Sequence, residues 1–240
     1  MPLFMATHDG HRQRLKQRFY REGLDHFEAH NALELFLFAS IPRKDTNELA
    51  HLLLDTFGSL AAVFDAPLEE LKKVPGIGES TAFLIKLLPE MSRLYIEDKY
   101  KDNSAINSTE KAGNFLKPKF IGRTDEVAMI IAMDGKCRVL HCAKVSEGTV
   151  NEVVVNVRKI VEICMKFHAS YAILAHNHPN GIAIPSPTDE ETTFQVKRAL
   201  SFVGIRLVDH FVIADNDYVS MAQSQKYRYI FEEQPEGIED

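Results

Sequence analysis

Hydrophobic and polar positions follow two different rhythms along this chain. In the first part apolar residues recur at helical spacing, as around Glu48–Phe57, where the pattern stops at Gly58, a residue suited to a helix end. Leu15 and Phe19 make an apolar stripe on an earlier helix, for which Asp9 is the expected cap. Residues up to about Tyr95 therefore read as all-α. The stretch Glu97–Ala105 is polar, charged and without period, as a linker is. From about Ser108 the rhythm changes to short apolar runs. Val127–Met133 is strand-like and closes on an Asp134-Gly135 turn, Tyr171–Ala175 reads as a buried strand, and Ile205–Ile213 with Tyr218–Met221 suggests a hairpin across Asp215–Asp217. Between them Ile160, Val161, Ile163, Cys164 and Phe167 share one helical face, which predicts a mixed α/β layer structure. The expected division is an all-α domain over 1–96, a linker over 97–107, an α/β domain over 108–230 and an acidic tail over 231–240.

Composition narrows the class. With 240 residues and 45% hydrophobic content, one or two domains with a sizeable core are expected. No apolar run is long enough to span a membrane, and Met1–Met5 is too short for a signal peptide, so a cytoplasmic protein is expected. Cys137, Cys142 and Cys164 are odd in number and lack metal-finger spacing, which fits reduced thiols.

The net charge of -6 argues against a generally basic nucleic-acid binder, although two local features qualify this. Arg14, Arg18 and Arg21 fall on one side of a helix, where they are either solvated or in contact with phosphate. Leu71–Ile85 has the form of a helix-hairpin-helix around Pro75-Gly76-Ile77-Gly78. Gly76 and Gly78 permit a tight turn, free amides at the second helix start can hold a phosphate, and Lys72 and Lys73 stand nearby. Glu79, just after the turn, would repel one. DNA contact and simple packing both remain open for this hairpin.

The residues that carry chemistry follow the strand at Tyr171. Residues two apart on a strand share a face, so His176 and His178 project together. Pro179 and Asn180-Gly181 end the strand beside them. Ser186-Pro187-Thr188-Asp189 reads as a helix start, with Ser186 as N-cap and Asp189 as the acid of a capping box. Read together, two histidines and Asp189 offer N, N and O donors and leave a fourth position for water, the pattern of an open zinc site.

His176-x-His178, seven residues, Ser186, two residues and Asp189 resembles the JAMM signature of the JAB/MPN metallopeptidases. The segment His176-Asn-His-Pro-Asn-Gly181, the pair Asp209-His210, Ile41–Asp45 and the hairpin segment resemble the bacterial RadC family. The chain departs from that family at Asn180, usually Ser there, and at Asn156–Lys159, usually His-Pro-Arg-Glu. The resemblance implies an MPN mixed sheet with flanking helices, preceded by a small all-α helix-hairpin-helix domain. It also implies zinc held by His176, His178 and Asp189, with hydrolysis of a peptide or isopeptide bond in a peptide or protein substrate by zinc-bound water. Ser186 would stabilise the oxyanion. Glu126, at the start of the Val127 run, takes the place of the family's acid-base glutamate, with Glu147 and Glu152 as rivals. His210 reads equally as a support for a ligand and as a core histidine. Two other classes stand beside this one: a DNA-associated protein (a repair or recombination accessory, or a nuclease), and an MPN scaffold without catalysis.

Overall fold

The computed structural model describes residues 5–42, 44–99, 105–147, 155–179, 181–215 and 217–232. The chain divides into two compact units, Met1–Ser92 and Arg93–Asp240.

The first unit is built from helices α1 (Met5–Glu22), α2 (Ala29–Leu37), α3 (Asn47–Phe57), α4 (Leu60–Asp65), α5 (Leu68–Lys73) and the start of α6 (Glu79–Lys99). The apolar faces of α2 to α6 meet in a core that includes Leu33, Leu37, Leu53, Leu71 and Ile85, all essentially inaccessible to solvent. Gly58, at φ 89°, ends α3 as the pattern predicts, donating its N–H to the Leu54 carbonyl. Gly76, at φ 95°, provides the sharp turn between α5 and α6. Asp9 is not a cap: α1 begins at Met5, so Asp9 lies in its second turn. The polar stretch from Glu97 does not start a linker at once either. Helix α6 runs on through Lys99, supported by an Arg93–Glu97 ion pair of 3.0 Å one turn apart. Residues 100–104 of the expected linker and 233–240 of the expected tail lie outside the described residues.

The second unit is a mixed α/β structure. Helix α7 (Thr109–Phe120) is capped by Ser108, whose hydroxyl oxygen accepts from the Lys111 N–H. Strands β1 (Val127–Met133), β2 (Val139–Glu147), β3 (Tyr171–Asn177), β4 (Arg206–Ala214) and β5 (Asp217–Ser220) form one sheet in the order β2-β1-β3-β4-β5. Among the described residues only β3 and β4 pair in parallel, and the crossover between them is supplied by α9 (Pro187–Ser201). Central strand β1 is buried along its whole length and β3 along all but Tyr171, so both read as continuous apolar runs rather than alternating ones. One face, carrying Ala128, Ile130 and Leu174, packs against α9 and α8 (Val157–Lys166). The other, carrying Met129, Ile173 and Phe211, packs against α7. At Gly113 the ring of Tyr218 lies so close to α7 that an added Cβ would stand 2.4 Å from it, which accounts for glycine in mid-helix.

Strand β4 carries an irregularity opposite the start of β3. Leu207 stands opposite Ala172 and His210 opposite Leu174, so β4 has one extra residue at the step from Ala172 to Ile173. The bulge lets residues three apart, Leu207 and His210, share one face of the sheet. Among the described residues no helix is long and apolar enough to cross a membrane.

Candidate metal centre

Where β3 ends, three elements bring their side chains to one cleft on the α8/α9 face. His176 is the penultimate residue of β3 and pairs with Ala128 across β1. His178 follows just past the strand, its backbone N–H donating to the Ile213 carbonyl of β4 at 2.8 Å, so the two imidazoles leave on the same side. Asp189 comes from the first turn of α9. Glu126 precedes β1 by one residue and shares a face with Ala128 and Ile130. One ligand atom from each of Glu126, His176, His178 and Asp189 can be chosen so that all lie within 4.8 Å of one another. The cleft holds about 530 Å³ and is also lined by Ser186, Thr192 and His210 and, on its apolar side, by Val155, Leu174, Ile182 and Ile184.

The capping box and the proposed ligand are the same device. Ser186 accepts from the Asp189 N–H at 3.2 Å, while the Ser186 N–H and hydroxyl both donate to Asp189 Oδ2 at 2.7 Å. With Oδ2 satisfied by the cap, Oδ1 faces His176 Nε2 at 3.1 Å. Burial works against the charge on Asp189, but hydrogen bonds to His176 and His178 outweigh it and hold the carboxyl well below the usual carboxylate range.

The imidazoles are oriented by groups behind them. His178 Nδ1 lies 3.1 Å from the Ile182 carbonyl, which fixes the proton on Nδ1 when the ring is neutral and turns Nε2 inwards. His176 Nδ1 lies 2.7 Å from His210 Nε2, and His210 Nδ1 lies 2.6 Å from Thr193 Oγ1. The Thr193 hydroxyl also reaches the Asp189 carbonyl one turn back. Two directions of donation satisfy this chain. If the Thr193 hydroxyl donates to His210, protons point towards Asp189 and His176 Nε2–H bonds its carboxylate. If it donates to the Asp189 carbonyl, His210 donates to Thr193, His176 donates to His210, and His176 Nε2 presents a lone pair to the cleft. His210 is neutral in both, in keeping with complete burial, which drives its pKa well below the imidazole range.

The second arrangement is the one a metal requires, and the distances fit it. His176 Nε2 stands 3.0 Å from His178 Nε2 and 3.1 Å from Asp189 Oδ1, and His178 Nε2 is 3.6 Å from the nearer aspartate oxygen, Oδ2. Ligand atoms of a tetrahedral zinc centre with bonds of about 2.0–2.1 Å stand about 3.3 Å from each other, between these values. Two imidazole lone pairs and a carboxylate facing one another repel unless a proton or cation lies among them. Protonation is one answer: the Asp189 hydrogen bond, against burial, raises the His178 pKa. A divalent ion is the other.

A family model described as a RadC-like JAB domain matches residues 106–227. The chain belongs to that family. The match takes in all four residues of the RadC-like JAB cluster, together with Ser186, Thr193 and His210. Among the described residues, Glu126 is the acid candidate that lines the cleft. Glu152 lies outside the described residues, as does the side chain of Glu147. Asn180, where the chain departs from the family pattern, also lies outside them. At the other departure, Asn156 caps α8, its Oδ1 accepting from the Lys159 N–H.

Two buried residues that support the RadC-like JAB site from behind are not marked by the sequence, Thr193 beside His210 and Asn177 beside the start of β1. Thr193 lies on the buried stripe of α9 with Val196 and Leu200, and a lone hydroxyl on such a stripe was the available signal. Replacing Thr193 by Val removes the acceptor for His210 and is expected to weaken zinc binding about 10–100-fold, read by competition with a chromophoric chelator. Unchanged affinity would show that His210 is oriented by other means.

The residues predicted for DNA contact all lie in the first unit, away in sequence from the matched segment. Lys72 and Lys73 are paired with Glu69 and Glu70 at 3.6 and 2.6 Å. Arg18 is bound to Glu22 and packed over the Phe27 ring; Arg21 is exposed and lies 3.6 Å from Glu22, and Arg14 is exposed.

Proposed function

We propose that the chain is a zinc-dependent hydrolase of JAMM type that cleaves a peptide or isopeptide bond. What carries this reading is the convergence of His176, His178 and Asp189, with one ligand atom of each and of Glu126 within 4.8 Å of one another in an open cleft. The atoms that would hold zinc are the two Nε2 nitrogens and Asp189 Oδ1. Bound there, the ion supplies Lewis acidity towards a carbonyl and makes a water easier to deprotonate.

The remaining chemistry belongs to side chains. Glu126 takes the proton from the attacking water and returns it to the departing amine, so it begins and ends the cycle as a carboxylate. Half-burial raises its pKa, an effect to which Asp189 adds and which His176 and His178 oppose; the shift towards neutrality suits a group that must both accept and release a proton. Ser186 serves the developing oxyanion by turning its hydroxyl away from Asp189. Its backbone N–H stays on Oδ2, so the aspartate keeps its orientation when the hydroxyl leaves. One such donor contributes about 2.7–4 kcal/mol where measured by removal. Exposed Ile182 and Ile184 on the rim offer an apolar surface to a substrate side chain.

A single metal set with one ligand carboxylate suits amide hydrolysis better than phosphodiester hydrolysis, which commonly uses paired metals. A DNA-associated role draws less support, because Lys72, Lys73 and Arg18 are already engaged and Glu79 opens α6. A scaffold without catalysis would leave the aligned ligands and Glu126 without purpose. The test is a cleavage screen of the full chain against peptides and isopeptide-linked conjugates. Cleavage that a chelator abolishes and added zinc restores is expected, and cleavage indifferent to chelator would overturn the proposal.

A further inference from the structure

Asn177, between the two histidines, faces away from them. Alternation along β3 puts it on the side of Ile173 and Ala175, and it is only 5% exposed. Its side chain reaches across to the start of β1. Asn177 Oδ1 accepts from the Val127 N–H at 2.8 Å, and Nδ2 donates to the Asp125 carbonyl at 3.1 Å. These two groups flank one residue, Glu126.

The position of this bridge is what makes it informative. Backbone pairing between β1 and β3 ends at Ala128 and His176, so Glu126 lies beyond the last paired residue, where a strand is apt to fray. The β3 backbone has by then turned to β4, where the His178 N–H is bound to Ile213. A side-chain amide takes over from the ladder, and asparagine is suited to this because one planar group carries both an acceptor and a donor. Serine, whose oxygen sits at the γ position, is too short to reach either backbone group from this site, and aspartate would keep the acceptor but lose the donor.

We propose that Asn177 is a positioning residue for Glu126: by gripping the backbone on both sides it holds the glutamate carboxyl beside the two histidines and Asp189. The chemical use of that placement rests on the hydrolase reading, while the placement itself does not. Precision of this kind matters for proton transfer, since a misplacement of about 1 Å can cost about 10²-fold in rate.

The test uses the full chain and four variants: Asn177→Ser, Asn177→Asp, Glu126→Gln and the double variant Asn177→Ser/Glu126→Gln. In the metal-free protein, amide exchange at Val127 is expected to accelerate on the order of two- to ten-fold in Asn177→Ser, the worth of one hydrogen bond, while Ile130 is unchanged. Asn177→Asp keeps the Val127 acceptor and is expected to exchange slowly. With cobalt(II) as a visible probe of the site, Asn177→Ser is expected to shift the absorption spectrum towards that of Glu126→Gln and to add nothing in the double variant. Unchanged Val127 exchange in Asn177→Ser, or additive spectral shifts, would overturn the proposal. If the wild-type chain takes up no cobalt, the hydrolase reading fails, and Val127 exchange alone decides whether Asn177 holds Glu126.

Discussion

Glu126→Gln is expected to lower turnover by about 10²–10⁴-fold, the usual contribution of a positioned acid-base group, while the protein still binds one zinc per chain. The two halves of this result separate the roles in the cluster. Glutamine has the size of glutamate and can still accept a hydrogen bond from water, but it cannot take the proton. Glu126 lies within the set of possible ligand atoms, so the structure leaves two uses for it, as a fourth ligand or as the proton carrier. Retained zinc with lost turnover assigns it to the proton. Full activity in the variant would remove Glu126 from the mechanism, and loss of zinc would make it a ligand.

His176→Ala and Asp189→Ala are expected to abolish stoichiometric zinc binding, with elemental analysis of the purified variants as the readout. Removing a ligand should exceed the about 10–100-fold loss typical of groups that merely orient one. Asp189 needs a second variant, because Asp189→Ala also destroys the capping box of α9, at a cost of roughly 0.5–2 kcal/mol of stability. Asp189→Asn keeps an oxygen for the Ser186 N–H and hydroxyl but loses the negative charge. If Asp189→Asn folds with wild-type stability and still fails to hold zinc, the aspartate acts on the metal directly. If Asp189→Asn binds zinc as the native chain does, its part is confined to capping.

Much of this site was legible in the chain because its signals are local. The two-residue period of a strand puts His176 beside His178 without knowledge of any other element. Ser186 and Asp189 announce a capping box within four residues, and that box orients the aspartate with Oδ1 towards His176. The apolar runs at Val127 and Tyr171 gave the two central strands because both of their faces are buried.

What the chain did not disclose depends on partners far away in sequence. Simple alternation from Leu207 would place His210 on the opposite face of β4, and only the bulge returns it beside His176. Asn177 contacts Asp125 and Val127 from fifty residues away. Charge and lack of apolar period from Glu97 conceal the last turn of α6, which is held by its own i,i+4 ion pair. Asp9 misleads for a similar reason, since a capping residue type is common inside helices too and Asp9 lies within α1.

Zinc-edge anomalous diffraction from crystals of the zinc-loaded chain decides whether these side chains hold a metal. One peak is expected within about 2.0–2.2 Å of His176 Nε2, His178 Nε2 and Asp189 Oδ1, with a fourth position open to the cleft. No peak between these side chains in excess zinc, or three side chains turned away from one another, would contradict it.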